Sequence, residues 1–171
     1  LLLGFEPDVY TVSNSFPICR YLFPADIDSD GDIDIVSSSI ESEMIAWCEN
    51  NGDGTYWVTR VVDNTTDTWP RCAFPEDIDG DGFIDIVCSK ASEPDYWIDW
   101  YRNVDCIELT WELQPPIETE YYRYICCADM DGDEDSDVVG GTTDISWWEN
   151  DLPDTSWDRH IILPDIMSCH E

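Results

Sequence analysis

Short runs of β-branched and aromatic residues alternate with polar, turn-forming residues along the whole chain. No segment shows the sustained periodicity that marks an amphipathic helix. Gly, Pro, Asn and Asp interrupt the apolar runs about every ten residues, which is typical of short antiparallel strands joined by tight turns. The pattern therefore predicts an all-β protein.

The same order of segments returns three times. An aromatic-rich segment leads into an acidic loop, a β-branched run leaves that loop, and a Trp-containing strand and a closing strand follow. Four short strands in a unit of about fifty residues are the proportions of a β-propeller blade. The predicted β-propeller-like fold has three four-stranded antiparallel blades, and its units are 14–64, 65–117 and 118–163. Residues 1–13, with a strand over 5–13, are predicted to be the spare last strand of a preceding blade, and 164–171 the lead-in to a further one.

The acidic loops carry the strongest candidate chemistry. They span 26–34 (DIDSDGDID), 77–85 (DIDGDGFID) and 129–137 (DMDGDEDSD), and their starts are 51 and 52 residues apart. Carboxylates this close repel one another unless a cation joins them. Calcium accepts ~6–8 oxygen ligands in a tolerant geometry. The sequence therefore predicts three Ca²⁺ sites, one per blade, with Mg²⁺ less suited to so many carboxylates.

The predicted ligands follow from position in the loop. The first, third, fifth and ninth residues offer side chains, and the seventh offers its backbone carbonyl, because the phenyl ring of Phe83 cannot coordinate a cation. The predicted side-chain ligands are Asp26, Asp28, Asp30 and Asp34; Asp77, Asp79, Asp81 and Asp85; and Asp129, Asp131, Asp133 and Asp137. The predicted carbonyl ligands are Asp32, Phe83 and Asp135.

These loops differ from EF-hands. Their twelfth residue is Ser37, Cys88 or Gly140 rather than a bidentate Glu, and strands flank them instead of helices. In the third loop Glu134 replaces the glycine found at the sixth position of the other two loops. We expect the third site to be the weakest or the most distorted.

The composition of the chain limits the classes of partner that it can bind. The formal charge is −32, from 39 acidic and 7 basic residues, which disfavours nucleic acid and anionic membranes. Hydrophobic residues make up 43% of the chain, so it is not a disordered acidic tail. No apolar run is long enough for a membrane span. The chain lacks a starting Met, so we expect a mature chain or an excised piece.

The cysteines indicate an oxidising compartment. Eight are present, and an even, high count favours disulfides, although reduced buried cysteines are the alternative and the pairing stays open. One sequon, which begins at Asn64, offers a glycosylation site.

Catalytic signatures are missing from the sequence. Only two histidines occur, and neither a nucleophile motif nor a phosphate-binding loop is present. The carboxylates are accounted for as metal ligands. We assign no catalytic residues and predict that the chain is not an enzyme.

The nine tryptophans fall into two groups. Two sets recur at fixed blade positions, which favours packing between blades: Trp47, Trp100 and Trp147, and Trp57, Trp111 and Trp157. The other three, Trp69, Trp97 and Trp148, do not recur. They are candidates for an aromatic platform that binds carbohydrate rings.

These motifs resemble FG-GAP/VCBS repeats. The likeness rests on DIDSDGDIDIV with IAWCEN, DIDGDGFIDIV with IDWYRN, and DMDGDEDSDVV with ISWWEN. The resemblance implies a β-propeller with a calcium ion in the turn between the first two strands of each blade. It also implies an extracellular or cell-surface setting, often adhesive or lectin-like.

Three blades cannot close a propeller, which needs roughly 4–8. We therefore expect self-association into a homo-oligomer or filament, or completion by the rest of a longer chain, because open sheet edges invite pairing. The hypothesis that follows is a calcium-binding, disulfide-stabilised structural or assembly protein. The alternatives are a carbohydrate-binding, lectin-like module of a larger cell-surface protein, and a propeller fragment of a polysaccharide lyase or hydrolase.

Overall fold

The computed structural model describes residues 10–14, 17–105, 109–151 and 157–163. In these ranges the chain forms twelve strands and no helix. The strands make three four-stranded antiparallel sheets, each built from consecutive strands. This confirms the predicted all-β, propeller-like fold.

Each sheet falls within one predicted repeat, and the sheets are called blades 1, 2 and 3. Blade 1 contains β1 (Cys19–Ala25), β2 (Asp34–Ser39), β3 (Met44–Asn50) and β4 (Trp57–Asp63). Blade 2 contains β5 (Trp69–Glu76), β6 (Asp85–Ser92), β7 (Asp95–Asp105) and β8 (Thr110–Leu113). Blade 3 contains β9 (Tyr124–Ala128), β10 (Asp137–Gly141), β11 (Ile145–Asn150) and β12 (Trp157–Leu163).

The first strands of the three blades lie side by side. Strand β5 contacts both β1 and β9. Aromatic side chains join these strands: the Phe23 and Phe74 ring centroids are 4.8 Å apart, and those of Tyr21 and Tyr124 are 5.8 Å apart. The blades therefore radiate from a shared set of inner strands, as in a propeller.

Because side chains alternate along a strand, each blade has two faces. The front face carries Val36, Ile45 and Trp47 in blade 1, with Val87, Ile98 and Trp100 in blade 2 and Val139, Ile145 and Trp147 in blade 3. The back face carries Ile35, Ser37 and Cys48 in blade 1, with Ile86, Cys88 and Tyr101 in blade 2 and Val138, Ser146 and Trp148 in blade 3.

The hydrophobic core lies between blades, where the front face of one packs on the back face of the next. Trp47 of blade 1 shares a cluster with Ile86 and Tyr101 of blade 2. Trp100 of blade 2 shares a second cluster with Val138 and Trp148 of blade 3. The same contact is thus used twice, which confirms that Trp47 and Trp100 pack between blades.

Several expectations fall on residues outside the described ranges. Most of the predicted strand over 5–13 and all of 164–171 lie there, and the described residues 10–14 have no regular secondary structure. Asn64 is exposed, as a glycan acceptor must be. The described part of the chain contains no helix with the length and apolar character that a membrane crossing needs.

The predicted disulfides are not confirmed. The six cysteines in the described residues are free thiols: Cys19, Cys48, Cys72, Cys88, Cys126 and Cys127. Cys106 and Cys169 lie outside those residues. Burial raises the pKa of Cys72 to about 11 and that of Cys88 well above its ordinary value, so these thiols stay protonated at neutral pH.

Candidate metal centre

The acidic loops connect the first two strands of each blade and bring their carboxylates together. In each loop, carboxylate oxygens of the first, third and ninth residues all lie within 4.8 Å of one another. The three groups are Asp26, Asp28 and Asp34; Asp77, Asp79 and Asp85; and Asp129, Asp131 and Asp137. All the donors are oxygens, which is the ligand set that a hard cation such as Ca²⁺ prefers.

The ninth aspartate anchors each loop to its sheet. It opens the second strand, and it is buried in all three blades. In blade 2, Asp85 accepts hydrogen bonds from the backbone N–H of Ile78, at 3.1 Å, and of Asn103, at 2.8 Å. Asp34 and Asp137 accept the same two bonds in their own blades. The loop therefore has a fixed shape that rests on a buried carboxylate.

A recurring asparagine in the third strand of each blade also binds the acidic loop. Asn50, Asn103 and Asn150 follow the third strand's Trp by three positions. Each donates its side-chain N–H to a carbonyl in the loop of its own blade, at 3.1, 3.3 and 3.0 Å. Asn150 also donates to the Ile78 carbonyl of blade 2, at 2.8 Å. The repeat of this Asn was visible in the sequence, but its role as a loop clamp was not.

The turn at the sixth position needs a left-handed backbone. Gly31 and Gly82 have φ angles of 96° and 91°, where glycine meets no steric penalty. Glu134 takes φ 80° at the same place, at a cost of about 1–2 kcal/mol for a residue with a side chain. Its N–H lies 3.3 Å from the Asp129 carboxylate, against 3.1 and 2.9 Å in the first two loops. These features agree with a weaker third site, which stays a prediction.

Burial disfavours the ionised form of the loop carboxylates when no cation is near them. It raises the pKa of Asp34 to about 6 and that of Asp85 to about 7, although backbone N–H groups hydrogen-bonded to each carboxylate oppose the shift. Burial and the neighbouring aspartate also raise the pKa of Asp28 and Asp79. A divalent cation would stabilise the ionised carboxylates. The residues present therefore fit a Ca²⁺ ion in each loop.

The predicted ligand set is only partly brought together. The fifth-position carboxylates, Asp30, Asp81 and Asp133, lie outside the three groups that converge. Their oxygens accept hydrogen bonds from the backbone N–H two residues on: Asp32 at 2.8 Å, Phe83 at 3.0 Å and Asp135 at 3.2 Å. Coordination by the fifth side chain and by the seventh carbonyl stays a prediction.

The second loop has a basic neighbour that the other two lack. Arg102 pairs with Asp79 and, at 2.9 Å, with Asp81. The equivalent residues two positions after the recurring Trp are Glu49 and Glu149. A guanidinium here competes with a cation for the same carboxylates.

We therefore predict that Arg102→Glu tightens one of the three calcium-binding steps about tenfold, because the change reverses a charge a few ångströms from the ligands. Calorimetric titration at low salt measures the three steps, and Arg102→Gln should give a smaller gain of the same sign. Unchanged affinities in both variants would show that Arg102 does not bear on the site.

The tryptophans predicted to bind carbohydrate have different surroundings. Trp148 is 1% exposed and its indole N–H donates to Glu118, at 3.1 Å. The prediction is wrong for Trp148, because this residue lies on the back face of blade 3, against blade 2. Trp69 is exposed on the surface and Trp97 lines a pocket between blades 1 and 2.

A comparison with protein-family models gives a match to part of the chain. The model described as FG-GAP-like repeat covers residues 26–88. This range begins at the first acidic loop and extends through the second loop into β6. The comparison with curated proteins finds no match. The resemblance predicted from the sequence is confirmed over the matched range.

Proposed function

We propose, from the match of residues 26–88 to the FG-GAP-like repeat model, that the chain is a calcium-binding extracellular assembly module. FG-GAP-like repeats are typical of extracellular adhesion modules and form a fold that is generally structural rather than enzymatic. The observation that carries the proposal is the convergence of three carboxylates in each of three equivalent loops. In each loop, a bound calcium ion would neutralise the carboxylates and fix the turn between the first two strands.

Assembly is supported by the two faces that no blade of the described chain covers. The front face of blade 3 holds Met130, which is 40% exposed, whereas the equivalent Ile27 and Ile78 are 0% and 1% exposed. Tyr124 on the same blade is 48% exposed. Trp147 is only half-buried and stacks on His160, with ring centroids 4.3 Å apart. This face therefore presents the apolar side chains that blades 1 and 2 bury.

The back face of blade 1 offers the complementary surface. A cavity of about 230 Å³ there is lined by Val12, Ser13, Cys19, Leu22, Ile35, Ser37 and Cys48. Leu22 is 61% exposed. Within the chain, front faces pack on back faces twice. We infer that the front face of blade 3 packs on the back face of blade 1 in a second copy, which is a head-to-tail contact that continues as a ring or filament.

Calcium and assembly are coupled in this proposal by charge. A chain of formal charge −32 repels its copies, and three divalent ions return six positive charges. Salt screens the remaining repulsion over about 8–10 Å. Association is therefore expected to need calcium, and to strengthen as salt is added.

The test is a measurement of mass in solution. Light scattering in calcium should show the wild-type chain as oligomers whose size grows with concentration. Met130→Glu, which places a charge on the uncovered front face, should reduce the mass to that of a monomer. Because Met130 lies in the third acidic loop, calorimetric titration must also show that the variant still binds three calcium ions. Tyr56→Glu is the matched control, because Tyr56 is 64% exposed on the turn before β4, and it should leave assembly unchanged.

A wild-type chain that binds calcium but stays monomeric at every concentration would overturn the assembly part alone. Completion of the propeller by further blades of a longer chain would then account for the uncovered faces. Failure to bind calcium would overturn the function as a whole. The second function predicted from the sequence, a lectin-like module, is favoured only by the pocket that Trp97 lines.

A further inference from the structure

The only lysine of the chain is buried at the junction between blades 1 and 2. Lys90 lies on β6 and is 5% exposed, and the other six basic residues of the chain are arginines. Burial of a lysine is rare, because removing its ammonium from water is costly. An arginine would keep its charge here and bind carboxylates through several N–H groups. A lysine differs in that its amine can become neutral and act as a nucleophile.

Three side chains, one from blade 1 and two from blade 2, surround the Lys90 amine. Nζ lies 2.6 Å from Oδ2 of Asp63, the last residue of β4, and 3.3 Å from Oδ2 of Asp99 on β7. The Tyr101 hydroxyl contacts Nζ and donates to the same Asp63 oxygen, at 2.5 Å. The other Asp63 oxygen, Oδ1, accepts hydrogen bonds from the N–H and the hydroxyl of Thr65, at 2.9 and 2.6 Å. The Asp63 carboxylate is therefore held at both oxygens.

The position and the dryness of these groups favour a reaction between them. Because Cγ of Asp63 is one bond from Oδ2, Nζ of Lys90 is close to the separation of roughly 3–3.5 Å at which a nucleophile attacks. Groups held in this way have effective concentrations of roughly 10⁵–10⁸ M. The side chains of Lys90 and Asp63 are 5% and 15% exposed, so little water competes with the amine for the carboxyl carbon.

We propose that Lys90 and Asp63 form an intramolecular isopeptide bond that joins blade 1 to blade 2 covalently. A bond forms between Nζ and Cγ, the bond between Cγ and Oδ2 breaks, and one water molecule leaves. No oxidant, reductant or further reactant is needed. The inference does not rest on the calcium or assembly proposals, because its residues belong to neither site.

The reaction starts from the ion pair. Burial alone would raise the pKa of Asp63, but hydrogen bonds from Lys90 and its other neighbours lower it, so the proton of the pair rests on the amine. Transfer of that proton from Nζ to Oδ2 gives a neutral amine and a neutral acid, the form that a dry site favours. Because this form is the minor one, we expect the bond to form slowly after folding.

The neighbouring groups complete the proton transfers. When the amine attacks Cγ, negative charge develops on Oδ1, which the N–H and hydroxyl of Thr65 stabilise. The Asp99 carboxylate takes a proton from the nitrogen and returns it to the Oδ2 hydroxyl, which leaves as water. Burial raises the pKa of Asp99, although Lys90 opposes the shift, and a raised pKa suits a carboxylate that accepts and then returns a proton.

The junction between blades 2 and 3 uses an arginine where the first junction uses the lysine. Arg159 pairs with Asp144 at 2.8 Å and with Glu120 at 2.6 Å. A guanidinium stays protonated in proteins, so it has no free amine with which to attack a carboxyl group. The proposed bond is therefore specific to the junction that contains Lys90.

The experiment measures the intact mass of the full chain, produced without N-glycosylation and reduced to open any disulfide. The folded chain should be lighter than its sequence by the mass of one water molecule. Chain isolated unfolded from inclusion bodies should have the full mass, and should lose the water only after refolding in calcium.

Tryptic digestion locates the bond, because trypsin cleaves after arginine and after a lysine whose amine is free. The peptide 61–71, which contains Asp63, should stay linked to the peptide 72–102, without cleavage after Lys90. Fragmentation of the linked peptides should place the bond between these two residues. The Lys90 amine should also resist an amine-reactive reagent in denaturant.

Three variants separate the bond from a simple ion pair. Lys90→Arg keeps the charge without the amine, and Asp99→Asn cannot shuttle the proton, so both should keep the full mass. Asp67→Asn is the matched control, because Asp67 is exposed and lies in the same peptide as Asp63, and it should still lose one water. If a variant does not fold, the linked peptides of the wild-type chain decide the question.

The inference is overturned by a folded wild-type chain of full mass, by tryptic cleavage after Lys90, or by a water loss that fragmentation places at an Asp-Gly pair or at Asp99. A water loss that persists in folded Lys90→Arg would also overturn it. A bond that forms equally fast in Asp99→Asn would overturn the role given to that carboxylate.

Discussion

Asp85→Ala is expected to lower the free energy of unfolding by about 4 kcal/mol, because it leaves two buried backbone N–H groups without an acceptor. Asp85 is 0% exposed and accepts hydrogen bonds from Ile78 and Asn103. The change also removes a carboxylate from the second metal group. Urea unfolding in excess calcium, followed by tryptophan fluorescence, measures the loss.

Two further variants serve as comparisons for the loss of stability in Asp85→Ala. Asp85→Asn keeps one acceptor oxygen, so we expect a smaller loss than with alanine. Asp32→Ala changes the seventh position of the first loop, where only the backbone carbonyl is predicted to bind calcium, and should cost less than about 0.5 kcal/mol. Equal losses for Asp85→Ala and Asp32→Ala would show that the buried carboxylate does not anchor the loop.

Calcium is expected to reverse the pH dependence of stability. In chelator, the raised pKa values of Asp34, about 6, and Asp85, about 7, mean that the folded chain binds more protons than the unfolded chain. Protonation of these carboxylates stabilises the folded state fully below the unfolded pKa of 3.8. That stability is lost as the pH rises through 6 and 7, on the order of 4 kcal/mol for Asp85.

In calcium we expect stability to rise with pH instead. The cation binds the ionised carboxylates, so their deprotonation favours calcium binding and thereby the folded state. We therefore expect the melting temperature to fall between about pH 4 and pH 8 in chelator and to rise over the same range in calcium. Melting curves followed by circular dichroism at constant ionic strength measure both series. Two superimposable series would contradict the role given to the aspartates.

The fold and the acidic loops could be predicted because they are local and repeated. The spacing of Asp26, Asp77 and Asp129 marks the blades, and alternate aspartates in a tight turn point to one centre whatever the distant contacts are. The buried ninth aspartate was predicted as a ligand. Its hydrogen bonds to β3, β7 and β11 needed the folded sheet, since the partners are 13 to 18 residues away.

The burial of Trp147 and Trp148 could not be predicted from the repeat pattern. Repetition assigned Trp147 to packing and left Trp148 as an exposed candidate, yet Trp148 is 1% exposed and Trp147 is half-buried. Neighbours in a strand point to opposite faces, so the outcome depends on which face another blade covers. In the described chain, blade 2 covers the back face of blade 3, and no blade covers its front face.

Contacts between segments that are far apart in the sequence could not be predicted either. Lys90 and Asp63 are 27 residues apart and meet only because β4 and β6 face each other across a blade junction. Arg102 reaches Asp81 across 21 residues. No periodicity or motif marks such pairs, because they depend on how neighbouring strands and blades are placed in space.

The most direct test of the account is the stoichiometry of calcium binding to the metal-free full chain, measured by isothermal titration calorimetry. Three convergent carboxylate groups predict three ions per chain, and Asp34→Asn should remove one of them. An absence of binding, or a stoichiometry that Asp34→Asn leaves unchanged, would contradict it.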